Sequence, residues 1–264
     1  MNAKKILSLL KEINDKQLMQ SASSLSFHTI LSIIPILLIS LSIFTKLPSF
    51  DMYYTKIKEF IFSSLLPSNQ EAFSSYIEKF LENTVGMGIF GFVVVLFTST
   101  MFFMEYEYTI NKILKAPSRT FWQGLSSYWT LITLAPMGLG ISFFVSNYLQ
   151  NLLNSFEYTS WINFLAIVPY LIIWGLFFAT YMISASVSLS PKKVGIASFV
   201  TSLVWYTCKS LFVYYVVYNK TYMSIYGSFS IAIFFLIWIY VSWIIFLYGV
   251  KLCAFLNEEK IQNS

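Results

Sequence analysis

A lysine inside an apolar segment is the residue of this sequence with the clearest chemical consequence. Residues Gly195–Tyr218 form a run long enough to cross a bilayer, and Lys209 lies well inside it. At about 1.5 Å per helical residue, Lys209 would lie roughly 21 Å into a hydrocarbon layer about 30 Å thick. A lysine near mid-membrane costs roughly 2.5–3.5 kcal/mol on insertion scales. We therefore expect tyrosine hydroxyls, backbone carbonyls, water, an acid such as Glu82 or an anionic ligand to satisfy the ammonium group.

Tyr222, Tyr226 and Gly227 form a short turn beyond the same end of this segment. Tyrosines at a membrane boundary usually belong to an aromatic belt. Their place beside the Lys209 end of the helix gives a second interpretation, a gate or a contact with a lipid headgroup. Together with Lys209, they form the candidate site for a substrate or a lipid.

His28, the only histidine, lies near the start of the first apolar segment. Ser24 and Ser32 are one helical turn away on either side, so we expect the imidazole to donate a hydrogen bond to a hydroxyl. A proton relay is the alternative, because histidine titrates near neutral pH.

Glu105 and Glu107 follow the second apolar segment. They are expected to be solvated at the membrane interface, within reach of Lys112 and Lys115. By helical rise, Glu105 would lie roughly 19 Å from Lys209 along the membrane normal, which is too far for a direct ion pair.

The composition is that of a membrane protein with one polytopic, all-α domain over residues 1–264. Hydrophobic residues make up 57% of the chain and charged residues 11%, and the mean hydropathy is +0.67. Soluble domains carry about 25% charged residues. The net charge of +5 does not indicate a nucleic-acid surface, because Arg119 is the only arginine and the lysines lie mostly between apolar runs. Cys208 and Cys253 would lie at different depths, so no disulfide is expected.

Six transmembrane helices are predicted, with two amphipathic interfacial helices between the first and the second, over residues 48–85. Residues 1–20 are predicted to form a cytoplasmic amphipathic segment, and the first span is expected to be retained, because no small-x-small cleavage site follows it. Mid-span prolines predict kinks or hinges at Pro35, Pro136 and Pro169. The spans are Leu25–Leu47, Gly86–Met104, Leu125–Tyr148, Trp161–Ile183, Gly195–Tyr218 and Phe229–Leu256.

The distribution of positive residues predicts that both termini are cytoplasmic. Four lysines precede the first span, and three basic residues follow the second in the expected turn Asn111–Arg119. The loop after the third span has none. Positive residues are enriched on the cytoplasmic side of membrane proteins. Lys251, near the inner end of the last span, is expected to snorkel toward the interface.

Several strings resemble the YihY/BrkB family of bacterial inner-membrane proteins. The similarity extends from about Gln20 to Leu256 and implies six helical spans in a bacterial inner membrane. The family was once labelled ribonuclease BN, a label generally regarded as misassigned. The strings are SLSFHTILSIIPIL (Ser24–Leu37), FIFSSLLP (Phe60–Pro67), YWTLITLAP (Tyr128–Pro136), SIYG (Ser224–Gly227) and IWIY (Ile237–Tyr240).

The resemblance also implies a set of polar positions. Lys209 matches a lysine in the family's fifth span, Glu107 an acidic position after the second span, and Asn111 an asparagine just beyond it. The family often ends its last span with Leu-Gly-Ala-Glu, whereas Lys251 stands here where the acid is expected. A role assigned to that acid is therefore not carried over.

A transporter, or a protein that handles a lipid or an anion near Lys209, is the function we expect. Its partners would be membrane lipids and an anionic or lipid substrate, with no nucleic acid, cofactor or metal. A non-catalytic scaffold of the cell envelope is the first alternative. A ribonuclease is the second, but such chemistry needs metal ligands or an acid–base pair and a basic surface. The chain offers one histidine and one arginine, so we expect it not to be an enzyme.

Overall fold

Five helices make up most of the part of the chain described by the computed structural model. The described residues are 15–45, 88–117, 119, 120, 122–124, 126, 128, 145, 148, 150, 164–218, 224 and 230–258, and no strand occurs among them. The helices are α1 (Lys16–Thr45), α2 (Gly88–Leu114), α3 (Phe164–Ser184), α4 (Pro191–Tyr218) and α5 (Ser230–Leu256).

The central helix of the described bundle is α5. It packs against α1, α2, α3 and α4, whereas α4 packs mainly against α3 and α5. Large side chains of α5 are accordingly among the most buried: Trp238 is 1% exposed and Leu247 0%. The helix that carries Lys209 therefore lies beside the centre of the bundle.

Two helices in the described part of the chain are long and apolar enough to cross a membrane, Pro191–Tyr218 and Ala232–Leu256. Val168–Ser184 is a shorter apolar helix. The helices α1 and α2 have 30 and 27 residues, more than the roughly 20 that a bilayer crossing needs. Six spans remain a prediction, since most of the predicted span Leu125–Tyr148 lies outside the described residues. The two amphipathic helices predicted over residues 48–85 also lie outside them and remain a prediction.

The first helix begins earlier than its predicted span. Asp15 is its N-cap, because Oδ1 accepts hydrogen bonds from the backbone N–H groups of Gln17 (3.1 Å) and Leu18 (3.2 Å). Lys16–Gln20 are therefore continuous with the helix that contains the first predicted span. The cytoplasmic location of residues 1–20 stays a prediction.

The second helix continues past its predicted end at Met104. It reaches Leu114, so Glu105, Glu107 and Asn111 all lie within α2. The polar turn expected to begin at Asn111 therefore begins only after Leu114. Lys115 ends the helix with φ of 52°, and the N–H of Ala116 bonds to the carbonyl of Asn111 at 2.9 Å. This is a left-handed C-cap with a lysine in the place that glycine usually takes.

One end of the bundle brings together the starts of α1 and α4 and the ends of α2, α3 and α5; we call it the turn end. The side chain of Asn257, just after α5, accepts a hydrogen bond from the N–H of Ser190 at 2.8 Å, directly before α4. Lys251 reaches Asp15 at the start of α1. The N-terminal end of α1 and the C-terminal end of α5 thus lie at the same end of the bundle, and the predicted topology also places them on one side of the membrane.

Candidate functional site

Lys209 lies on the inward face of α4. Ser198, Ser202, Trp205 and Lys209 recur at helical spacing along one side of the helix. The first three are buried, at 0, 4 and 6% exposure, and Lys209 is half-buried. The opposite side is exposed and apolar, with Ile196, Phe199, Val200, Leu203 and Leu211. The lysine therefore points toward the bundle, about 27 Å along α4 from Pro191.

An indole ring is the described partner of the Lys209 ammonium group. Nζ lies 5.4 Å from the centre of the Trp205 ring, one turn earlier on α4. This distance is typical of a cation–π contact. The expectation of hydroxyl or carbonyl partners did not include this ring. An aromatic residue four positions before the lysine is the sequence signal for it.

No carboxylate in the described part of the chain pairs with Lys209. The ion pair found there joins Lys251 to Asp15. Glu105 and Glu107 are both described, and neither contacts Lys209, whereas Glu82 lies outside the described residues. The ammonium N–H groups of Lys209 therefore have no anionic acceptor among the described atoms.

Trp205 is held in place from the neighbouring helix. Its Nε1 donates a hydrogen bond to Oγ of Ser242 in α5 at 3.2 Å. The ring also packs against Trp238 of α5, with the ring centres 5.4 Å apart. Phe212 of α4 packs against Trp238 as well, at 5.2 Å between ring centres. Ser242 could not be predicted from the sequence, since no local pattern links it to Trp205.

The other residues predicted for the site or for helix kinks either lie outside the described residues or are only located within a helix. Tyr222, Tyr226, Gly227 and Pro136 are outside the described residues. Pro169 lies within α3 and is half-buried, and Pro35 lies within α1. The kinks at the three prolines remain predictions.

His28 forms a hydrogen bond within its own helix. Its Nδ1 lies 2.9 Å from the backbone carbonyl oxygen of Ser24, to which it donates. The hydroxyl of Ser32 in turn donates to the carbonyl of His28. The imidazole therefore makes a structural hydrogen bond, as expected, but its acceptor is the backbone carbonyl one turn earlier and not a serine hydroxyl.

Glu107 and Asn111 come together at the turn end with Arg119 and Ser186, and we call these four residues the turn cluster. Nδ2 of Asn111 donates to Oε1 of Glu107 at 3.5 Å, and the backbone N–H of Arg119 donates to the same oxygen at 3.3 Å. The hydroxyl of Ser186 donates to Oδ1 of Asn111 at 2.8 Å. Glu107 therefore faces this cluster and not Lys112 or Lys115, while Glu105 is half-buried outside it.

The side chain of Arg119 caps the end of α3. One guanidinium nitrogen donates to the carbonyls of Ile183 at 3.2 Å and Ala185 at 2.5 Å. Carbonyls at a helix C-terminus lack partners within the helix and carry partial negative charge, so an arginine stabilises them. The turn cluster thus joins the end of α2 to the α3–α4 turn, which is a structural role.

Lys251 forms an ion pair and does not simply extend toward the interface. Its Nζ lies 3.0 Å from Oδ2 of Asp15, and the two side chains are 23% and 31% exposed. Burial raises the pKa of Asp15, but hydrogen bonds from Lys251 and from the backbone of Leu18 and Gln17, with the lysine charge, outweigh it. The pKa of this carboxyl is therefore below its ordinary value of 3.8.

Metal ligands do not cluster among the described residues, where no group of three His, Cys, Asp or Glu side chains could hold a metal ion. Both cysteines, Cys208 and Cys253, are free thiols.

Comparison with known proteins gives relatives along the whole chain. The family model described as virulence factor BrkB matches residues 9–264. A UPF0761 membrane protein of Haemophilus influenzae is 29% identical over 257 residues, 96% of either chain. A second, of Mannheimia succiniciproducens, is 28% identical over 252 residues, 94% of this chain and 88% of the relative. No solved structure gives a significant match. Because the family model matches nearly every residue, this chain belongs to the BrkB family of integral membrane proteins.

Proposed function

We propose that this membrane protein binds an anionic group at Lys209, between its helices, as a transporter or lipid-handling protein. One observation carries the proposal: an inward-facing ammonium group on a membrane-length helix has no carboxylate partner among the described residues. The anion we propose is a phosphate, either on a lipid headgroup or on a solute.

The energetics of Lys209 support a ligand. A lysine deep in the membrane costs roughly 2.5–3.5 kcal/mol, and a desolvated cation–π contact returns about 2 kcal/mol. The ring accepts no conventional hydrogen bond, so the ammonium keeps N–H donors for an oxygen ligand. A hydrogen bond between charged groups adds about 1.5–3 kcal/mol. A phosphate oxygen would therefore offset the remaining cost.

Lys112 is a matched lysine that does not need a ligand. Its Nζ lies 5.6 Å from the ring centre of Tyr108, one turn earlier on α2, in nearly the same arrangement as Lys209 and Trp205. Lys112 is exposed at the end of its helix, however. Water can solvate it there, so it serves as the control.

Location and chemistry complete the proposal. The protein would lie in the bacterial inner membrane with both termini in the cytoplasm, as the distribution of lysines favours. It would bind membrane lipids and no nucleic acid, and it would not be an enzyme. Purified protein that cleaves RNA, with the activity lost on substitution of one residue, would contradict the last point.

Lipid binding to the purified full chain tests the proposal. The affinity for phosphatidylglycerol is measured in phosphatidylcholine nanodiscs for the wild type, Lys209→Gln, Lys209→Arg and Lys112→Gln. Loss of the charged hydrogen bond predicts about tenfold weaker binding for Lys209→Gln, because 1.4 kcal/mol corresponds to a factor of ten. Lys209→Arg should bind within about threefold of the wild type. Equal affinities for Lys209→Gln, Lys112→Gln and the wild type would overturn the proposal.

Two further measurements separate the sources of the phosphate and the kind of activity. Direct binding of glycerol 3-phosphate that depends on Lys209, with no binding of phosphatidylglycerol, would indicate a soluble anion. In proteoliposomes, transfer of fluorescent phosphatidylglycerol between leaflets should depend on Lys209. Binding without any transfer would exclude the transporter and leave lipid binding as the function.

A further inference from the structure

We infer that Trp205 and Ser242 are positioning residues for Lys209: a hydrogen bond from α4 to α5 orients the indole ring on which the ammonium group lies. This inference rests on the proposed role of Lys209 in binding. Neither residue needs to touch the anion. Ser242 would act through Trp205, and Trp205 through Lys209.

The orientation of Trp205 is fixed by one polar contact in apolar surroundings. The side chain is 6% exposed and packs in a cluster with Ile173, Trp238 and Ile245. Its Nε1–H bonds to Oγ of Ser242 at 3.2 Å. A ring turned away from this hydroxyl would leave a buried N–H group unpaired, which is unfavourable because the group loses its bond to water without gaining another. The hydroxyl of Ser242 therefore selects one orientation of the indole.

The place of the ammonium group follows from that orientation. A cation is attracted to the face of an aromatic ring and not to its edge, at distances up to about 6 Å from the ring centre. Nζ of Lys209 lies 5.4 Å from the centre of the Trp205 ring. A rotated indole would present a different surface to the lysine. Because Ser242 belongs to α5, the position of the ammonium on α4 is linked to the packing of the two helices.

A second tryptophan on α5 provides a matched control. Nε1 of Trp243 donates to Oγ1 of Thr29 in α1 at 2.8 Å, again between two helices. The tryptophan is the residue after Ser242 but bonds to a different helix, and it has no contact with Lys209 among the described residues. Thr29→Val removes this hydroxyl with little change of shape, as Ser242→Ala removes the other.

A double-mutant cycle tests the inference. The affinity for phosphatidylglycerol in phosphatidylcholine nanodiscs is measured for the full chain with Ser242→Ala, Trp205→Phe, both substitutions, Ser242→Thr and Thr29→Val. Ser242→Ala and Trp205→Phe should each weaken binding about three- to tenfold. The double variant should bind like Trp205→Phe, because without the indole N–H the hydroxyl has nothing to hold. Ser242→Thr should restore binding, and Thr29→Val should leave it unchanged.

Three outcomes would overturn the inference. Ser242→Ala could leave the affinity unchanged, weaken it equally in the Trp205→Phe background, or weaken it no more than Thr29→Val does. If Ser242→Ala does not fold, as judged by gel filtration and thermal unfolding, Trp205→Phe carries the test, since it also removes the hydrogen bond. Wild-type affinity in Trp205→Phe would then contradict the inference.

Failure of the underlying function gives a different pattern. If Lys209→Gln binds phosphatidylglycerol like the wild type, the proposed function fails and the positioning role fails with it. If Lys209→Gln loses binding and Ser242→Ala does not, only the positioning role is wrong.

Discussion

Two lysines on adjacent helices are satisfied in opposite ways. Lys251 of α5 lies at the turn end, and its Nζ is 3.0 Å from a carboxylate oxygen of Asp15. Lys209 of α4 lies about 27 Å along its helix, and its described partner is the face of Trp205 at 5.4 Å. The easily solvated position has the ion pair, whereas the position that is expensive for a charge has an aromatic ring as its partner among the described residues.

The difference supports the two proposed roles, a structural one for Lys251 and a ligand-binding one for Lys209. A cation whose counter-charge belongs to the same chain has a structural role, because removing it leaves the charge of its partner unpaired. A cation without such a partner destabilises the protein until something else binds it. Residues that reduce stability without an evident structural gain are typical of functional sites.

Replacing each lysine by leucine should have effects of opposite sign, and the first is the largest that we expect. Lys209→Leu should make membrane insertion of the segment 195–218 more favourable by about 3 kcal/mol, since it removes a charge from the apolar region. The measurement is the fraction of this segment that integrates into microsomes in a glycosylation assay. Lys251→Leu in the full chain should instead lower the thermal unfolding midpoint, because Asp15 loses its partner.

The comparison fails if Lys209→Leu does not make insertion more favourable, or if Lys251→Leu does not lower the unfolding midpoint. An unchanged insertion free energy for Lys209→Leu would mean that the lysine lies outside the apolar region of the bilayer. Lys112→Leu, at an exposed helix end, is the control and should change stability by less than about 0.5 kcal/mol.

A substitution near Lys251 should show that this end of the bundle is tightly packed. A methyl group on Gly249 would overlap the hydroxyl groups of Tyr181 and Thr201, both of which are buried. Gly249→Ala should therefore destabilise the protein by about 1–3 kcal/mol through overpacking, seen as a lower midpoint in detergent. A methyl group on Gly195 of α4 meets no atom within 4 Å, so Gly195→Ala should not destabilise the protein and should favour the helix by up to about 1 kcal/mol. Equal midpoints for the two variants would contradict this packing.

Sequence patterns predicted the helices well where apolar length determines them. The predicted span Trp161–Ile183 corresponds to α3 at Phe164–Ser184, and Phe229–Leu256 to α5 at Ser230–Leu256. Helix ends set by capping were less accurate. Pro191 starts α4 four residues before the predicted boundary, since proline suits the first helical position. Polar residues at the end of α2 do not stop a helix when a cap further on can end it.

The partners of the polar residues were harder to predict, because most of them come from other helices. The sequence identified Lys209, Glu107 and Asn111, but the contacts of the latter two with Arg119 and Ser186 depend on how α2 meets the α3–α4 turn. Local spacing could have suggested Trp205, which lies one turn before Lys209. Nothing in the sequence pairs Asp15 with Lys251, more than 200 residues away.

Two substitutions at Asp15 separate its two roles. Asparagine is also a good N-cap, so Asp15→Asn removes the ion pair alone and should cost about 0.5–1 kcal/mol for a partly exposed pair. Asp15→Ala also removes the cap and should cost about 1 kcal/mol more. Thermal unfolding of both variants and of Lys251→Met gives the comparison. Equal midpoints for Asp15→Asn and the wild type would show that the ion pair contributes nothing.

The pH dependence of the same pair gives the smallest expected effect. The pKa of Asp15 is lowered in the folded protein from its ordinary value of 3.8. Its contribution to stability is therefore complete well above pH 3.8 and is lost as the pH falls through the folded-state value. The midpoint of the wild type should exceed that of Asp15→Asn by a constant amount from about pH 5 to 7, and the difference should shrink below pH 4. Lys209→Leu should keep this pH dependence, because Lys209 has no part in the pair. A difference that stays constant down to pH 3 would show that the charge of Asp15 does not stabilise the protein through this pair, and one that disappears in Lys209→Leu would show that the two lysines are not satisfied independently.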